Sequence, residues 1–110
     1  MEINKTKINS VEVIEVIGRV DANNFKDLEN SLVASIEAGS NKMVLDLSKL
    51  DYISSSGLRV FLFIAKKLEK TGLIQLCGLQ PQVAQIFNIS GFNNIFSIFP
   101  NKETALKNIN

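Results

Sequence analysis

An α/β fold built on a mainly parallel sheet is predicted by three features of the sequence. Apolar runs of strand length alternate with segments of helical period. After a first short strand, the elements read β-α-β-α-β-α-β-α, an order that favours parallel pairing and right-handed crossovers. The 110 residues, 45% of them hydrophobic, suffice for one buried core and one domain, residues 1–110, with about four helices.

The elements follow in order. Ile3 to Ile8 and Val11 to Val20 are strand-like runs separated by the turn residues Asn9 and Ser10. A connection of two residues makes that pair antiparallel, the one such pair expected. Gly18 inside the second run marks a bulge or a close backbone contact. In Asp21-Ala22-Asn23-Asn24 an Asn side chain can cap a helix by accepting from the free amides of its first turn. Phe25, Leu28, Leu32 and Ile36 then recur at helical spacing, and Gly39 ends that helix. Lys42 to Ser48 is a short apolar run that suits a strand covered on both faces, in which Asp46 needs a partner or an exposed strand end. Leu50 to Ile53 reads as a connection. A helix runs from about Ser55 to Lys70 and closes at Gly72; Leu73 to Leu79 is the next strand. Pro81 suits the first turn of a helix through Ile89, with Val83, Ile86 and Phe87 inward. Ser90-Gly91 is a helix-ending turn, Ile95 to Phe99 the last strand, and Asn101 caps a terminal helix carrying Ala105, Leu106 and Ile109. Cys77 sits in an apolar strand and reads as a core thiol.

Composition excludes several functions. Twelve Lys plus Arg against eleven Asp plus Glu leave a net charge of +1, unlike the plainly basic balance of a module that binds nucleic acid directly. With no His, His-dependent triads, His acid/base catalysis and His metal ligands are all missing. One Cys cannot form an internal disulfide, which points to a reducing compartment, and a zinc site would need carboxylates alone. No apolar run of about 18 residues is present for membrane insertion, and Met-Glu-Ile-Asn-Lys lacks the apolar stretch of a signal peptide. A cytoplasmic location is expected. No phosphate-binding loop or dinucleotide fingerprint occurs, so neither a catalytic residue nor a cofactor is expected, and the chain reads as a non-enzyme.

The informative place is Tyr52-Ile53-Ser54-Ser55-Ser56-Gly57-Leu58, where three serines and a glycine enter a helix. Ser54 suits the N-cap, which makes Ser55 and Ser56 the first helical residues. Gly57 is a poor helix former that leaves the first turn bare, open to close approach by another molecule. A Ser-rich cap before an amphipathic helix is common, and that alone accounts for the serines. The functional reading is a phosphoacceptor: a phosphate at a helix N-terminus sits by the positive end of the dipole, so it adds roughly −1.5 to −2 charges without unfolding the domain.

Over nearly its whole length the sequence resembles a STAS domain of the bacterial anti-sigma-factor-antagonist type. The resemblance is carried by Gly18-Arg19-Val20-Asp21-Ala22, by Leu45-Asp46-Leu47-Ser48 and most specifically by the serine turn. Relatives read Asp-Ser-Ser-Gly there, and the first of those serines is phosphorylated by a partner anti-sigma factor that is also a kinase. The resemblance implies Ser55 as phosphoacceptor, with Ser56 and Gly57 matching the motif directly. Ser54 stands where relatives carry an acid, so it is the second candidate acceptor and Ser56 the third; Asp51 is a partial substitute for the missing acid. The resemblance further implies that the unphosphorylated domain binds an anti-sigma factor with serine kinase activity and so releases a sigma factor. Phosphorylation then ends binding, and a protein phosphatase restores it. Asp21 and Asn23 fall in a loop that lies near the serine turn in the family, and they join Ser54, Ser56 and Gly57 as expected partner contacts.

The helix after the turn adds two more. Leu58, Phe61, Leu62, Ile64, Ala65 and Leu68 share one arc at 100° per residue, and Arg59, Lys66, Lys67 and Lys70 the other, with Phe63 among them. An aromatic side chain in a basic face is an interface anchor by type, and Arg59 beside it is the other residue enriched in such sites. Coverage by loops or plain exposure explains Phe63 equally well. From another class, the alternative is a cytoplasmic STAS subunit of a membrane transport complex; the serine turn favours the regulatory reading.

Overall fold

A computed structural model describes residues 1–109. Strand β1 (Glu2–Ile8) turns into β2 (Val11–Val20), then follow α1 (Phe25–Glu37), β3 (Lys42–Asp46), β4 (Leu50–Ile53), α2 (Ser55–Leu68), β5 (Leu73–Cys77), α3 (Pro81–Ile89), a 3-10 turn at Phe92–Asn94, β6 (Ser97–Phe99) and α4 (Lys102–Lys107). The predicted fold class is the observed one. The sheet order is β1-β2-β3-β5-β6, with β4 paired to the end of β2. Only β1 and β2 run antiparallel among these pairs. Asn9 and Ser10, both at positive φ, make the tight connection, the twist that a two-residue hairpin loop requires.

From β2 onward each crossover moves one place in the same direction across the sheet. Right-handed connections then stack α1, α2 and α3 on one face. That face holds the main core: Ile14 and Val16 of β2, Met43 and Leu45 of β3, and Leu76 of β5 meet Leu28, Leu32, Phe61 and Ile64 from the helices. Alternate residues of the same strands, Val13, Val44 and Cys77, face Ala105 of α4 and Ile109, which packs there from beyond the helix end at Lys107, outside the helix expected to carry it. Strand β3 is covered on both sides, which is why its apolar run shows no period-2 break. Phe87 of α3 gathers Phe61, Phe92 and Phe96 around it at centroid distances of 6.4, 6.0 and 6.4 Å.

Several expectations change. Leu50 to Ile53 is a strand, not a connection. Gly18 pairs with Leu50 but Arg19 with Tyr52, a register shift that leaves Asp51 unmatched. The bulge turns both Leu50 and Ile53 inward and both Asp51 and Tyr52 outward, so the strand has no alternation to read. Gly18, at φ +96°, is the residue that permits it. β3 and β5 stop two residues short of the expected ends because Asp46 and Cys77 are the last residues to pair. Asp46 accepts from the Ser48 N–H at 3.1 Å, which supplies its partner. β6 begins at Ser97, because the Ile95 and Phe96 N–H groups donate to the Phe92 carbonyl at 3.0 and 3.1 Å where the 3-10 turn closes. Leu62 and Ala65 are half-buried, and Val60, on no expected apolar arc, is buried.

Cys77 is fully buried. Burial, with the Asp46 and Glu103 carboxylates adding to it against an opposing Lys102, pushes its thiol up to about 12. Folding therefore favours the protonated thiol. Its contribution to stability is complete below about pH 8.5, the ordinary cysteine range, and is lost as pH rises towards 12. Urea midpoints measured from pH 7 to 10.5 are expected to fall more steeply for the parent chain than for Cys77→Ala. Parallel curves would refute this.

Candidate functional site

The serine turn is held from both sides. The Ser54 N–H donates to the Val20 carbonyl at 2.9 Å, and the Ser54 carbonyl accepts from the Leu58 N–H at 3.0 Å. Its hydroxyl oxygen accepts from the Gly57 N–H at 3.3 Å, the N-cap geometry expected of serine before a helix. Ser54 is half-buried, whereas Ser55 at the first helical position is exposed and Ser56 half-buried. Of the three successive serines, Ser55 alone is exposed.

Gly57 corrects an expectation. It is buried, and its missing side chain points into the domain, away from any outside partner. A Cβ there would lie 2.6 Å from Ile53 Cγ1 and 2.7 Å from Val20 Cγ1, both side chains being core residues. The glycine lets α2 settle onto the ends of β2 and β4. Helix propensity alone makes Gly57→Ala stabilising by about 1 kcal/mol. Overpacking of roughly 1–3 kcal/mol opposes it, so denaturant unfolding is expected to show a net loss on the order of 1 kcal/mol. A gain would refute the packing role.

The Val20–Ser54 bond also fixes the loop after β2 beside the turn. Asp21 Oδ1 accepts from the Asn23 N–H at 2.9 Å. Asn24 Oδ1 accepts from the Asp21 N–H, and Asn24 Nδ2 donates to the Arg19 carbonyl, each at 2.9 Å. Asn24 therefore occupies the N-cap of α1 without a side-chain cap bond, contrary to the expected use of an Asn here. Its amide is spent tying the loop to β2. Asp21 is half-buried and Asn23 exposed, so both expected contact residues are carried on a hydrogen-bonded loop next to the serines. Asp51 points elsewhere: its carboxylate accepts from Gln80 Nε2 at 3.3 Å at the start of α3.

Along α2, Arg59 is exposed and Phe63 is 42% exposed, with Lys67 Nζ 5.3 Å from the Phe63 ring centre. Ser56, Arg59, Val60 and Phe63 line a groove of about 260 Å³ whose other wall is Phe25 and Glu29 of α1. The groove brings together three residues singled out from the sequence. It adds three that were not: Val60 of α2, and Phe25 and Glu29 of α1. The spacing of four along α1 puts Phe25 and Glu29 on one face, but nothing local shows that α2 lies opposite. The sequence distinguishes Arg19 only as part of the Gly18-Arg19-Val20-Asp21-Ala22 marker, with no contact expected of it. Its guanidinium stacks 4.5 Å from the centre of the Tyr52 ring, through a pairing of β2 with β4 that spans more than 30 residues of sequence. Among the described residues no group of three or more His, Cys, Asp or Glu side chains is placed to hold a metal ion, and no helix is long and apolar enough to cross a membrane.

The STAS domain profile matches residues 2–105. A relative from Bordetella bronchiseptica, named "Putative anti-sigma factor antagonist BtrV", is 42% identical over 106 residues, 96% of this chain and 91% of the relative. The "Anti-sigma-B factor antagonist" of Bacillus subtilis is 29% identical over 104 residues, 94% of each chain. The crystal structure of an anti-sigma factor antagonist from Mycobacterium paratuberculosis superposes with a TM-score of 0.92 at 22% identity, covering 98% of this chain and 92% of that one.

Proposed function

The chain belongs to the STAS domain family, and on that premise we propose that it is an anti-sigma-factor antagonist switched by phosphorylation of Ser55. Unphosphorylated, it binds an anti-sigma factor through the surface built from Asp21, Asn23, Ser56, Arg59 and Phe63 around the serine turn, releasing a sigma factor. The anti-sigma factor is also the kinase. The Ser55 Oγ–P bond forms as the bond from the γ-phosphorus of ATP to its bridging oxygen breaks; ADP leaves, and the hydroxyl proton passes to a base of the kinase. A protein phosphatase hydrolyses the ester and restores binding. The chemistry belongs to the partners, the chain itself is not an enzyme, and the exchange takes place in the cytoplasm.

The observation that carries this reading is the division of labour in the turn. Ser54 spends its hydroxyl on the Gly57 amide, leaving Ser55 exposed at the start of α2. A phosphate there is compatible with the helix, because it sits at the positive end of the dipole. The test is incubation with the cognate anti-sigma factor and ATP, followed by mass spectrometry of the peptide spanning Ser54 to Ser56. A single added phosphate on Ser55 is expected, absent in Ser55→Ala. Unchanged mass with a kinase active on another substrate, or modification of Ser54 in its place, would overturn the assignment.

A further inference from the structure

We propose that Arg59 receives the phosphate of phosphorylated Ser55 within the same chain and, in doing so, withdraws from the groove between α1 and α2. The inference rests on the Ser55 assignment above. Ser55 opens α2 and Arg59 follows four residues later, both exposed. Residues at this spacing are neighbours on a helix, and an anion N-terminal to a cation is the favourable order. Helical side chains lean towards the N-terminus. The long Arg59 side chain is therefore within reach of the turn that carries the Ser55 hydroxyl.

Two other cations are badly placed for this. Lys66, the next basic residue of α2, lies eleven residues from Ser55, about 16 Å along the axis. Arg19 is already stacked on Tyr52. Arg59 itself is uncommitted: among the described residues the ion pair formed is Lys49–Glu15, at 3.4 Å. Its planar fork of donors also matches a phosphate in two-point contact, which an ammonium cannot do.

The groove then changes character. Arg59 and Glu29 are its charged residues, set among Phe25, Ser56, Val60 and Phe63. When Arg59 turns to the phosphate, Glu29 keeps no cation in the groove. Phosphorylation thus removes a positive charge from the partner-facing surface as well as adding a negative one, so a single modification is read twice.

The test needs no kinase. Phosphoserine is placed at position 55 during translation or by semisynthesis, and the phosphate is titrated by phosphorus NMR in the parent chain, Arg59→Ala and Arg59→Lys. A phosphoserine ordinarily has its second pKa near 6. The parent value is expected to lie below that of Arg59→Ala by roughly 0.3 unit or more, with Arg59→Lys between them. The difference should shrink as salt is raised. Coincident curves for parent and Arg59→Ala would overturn the proposal, since the first-turn amides alone would then account for the phosphate's environment. The two readings fail separately: coincident curves leave the kinase reaction standing, and a kinase that ignores Ser55 leaves the titration unchanged.

Discussion

Phosphorylation of Ser55 is expected to weaken binding of the anti-sigma partner by roughly 100-fold or more, with the fold unaltered. The size follows from placing close to two negative charges inside a surface that the partner covers. Unfavourable charge juxtaposition in an interface costs several kcal/mol, and each 1.4 kcal/mol is tenfold in affinity. The unaltered fold follows from position. Ser55 is exposed at the first residue of α2, and no buried neighbour has to move to admit the phosphate. Ser55→Asp carries one charge on a shorter arm and is expected to give a smaller loss, on the order of 10-fold. Ser55→Ala should bind like the unmodified chain and be indifferent to ATP. Titration calorimetry with the unmodified, phosphorylated and substituted proteins, repeated at low and high salt, separates charge from shape. A charge-based loss diminishes with ionic strength, whereas equal affinities for the phosphorylated and unmodified forms would sink the switch.

Phe87→Ala is expected to cost about 3–5 kcal/mol of folding free energy, the largest effect of any single truncation considered. Phe87 is fully buried and lies between Phe61 on α2, Phe92 on the 3-10 turn and Phe96 before β6. Removing its ring deletes aromatic contacts with three elements at once, and a rigid sheet leaves little room for collapse. Against a typical total of about 5–15 kcal/mol, such a loss leaves the domain marginal. Because Phe61 belongs to α2, the helix that presents Ser55, this loss should also loosen the site. Urea unfolding gives the energy, and amide exchange in α2 reports the loosening. A loss under about 1 kcal/mol would mean that the cluster repacks.

The two effects differ in how they could be foreseen. The serine turn and its cap were legible because they are contiguous: a Ser-Ser-Ser-Gly run entering an apolar helical period specifies an N-cap at Ser54 and a helix opening at Ser55 by local rules. The α/β order was legible for the same reason, since each strand and helix declares its own period. Phe87 was recognisable as inward-facing, but not as the hub of an aromatic cluster drawn from α2, the 3-10 turn and the connection to β6.

What the sequence by itself determined is the four helices, the strands other than β4, their α/β order, the antiparallel first pair and the serine that opens α2. All of these depend on neighbours within a few residues. Tertiary structure alone decided that Leu50–Ile53 is a strand, that Gly57 faces the core, that Asn24 ties a loop when a cap was expected, and that Glu29 shares a groove with Arg59. Each of these depends on what a distant segment places opposite. The bulge at Gly18 shifts the register of β4, and the crossover brings α1 beside α2. Periodicity reports which way a residue faces along its own element; it carries no information about what another element sets against it.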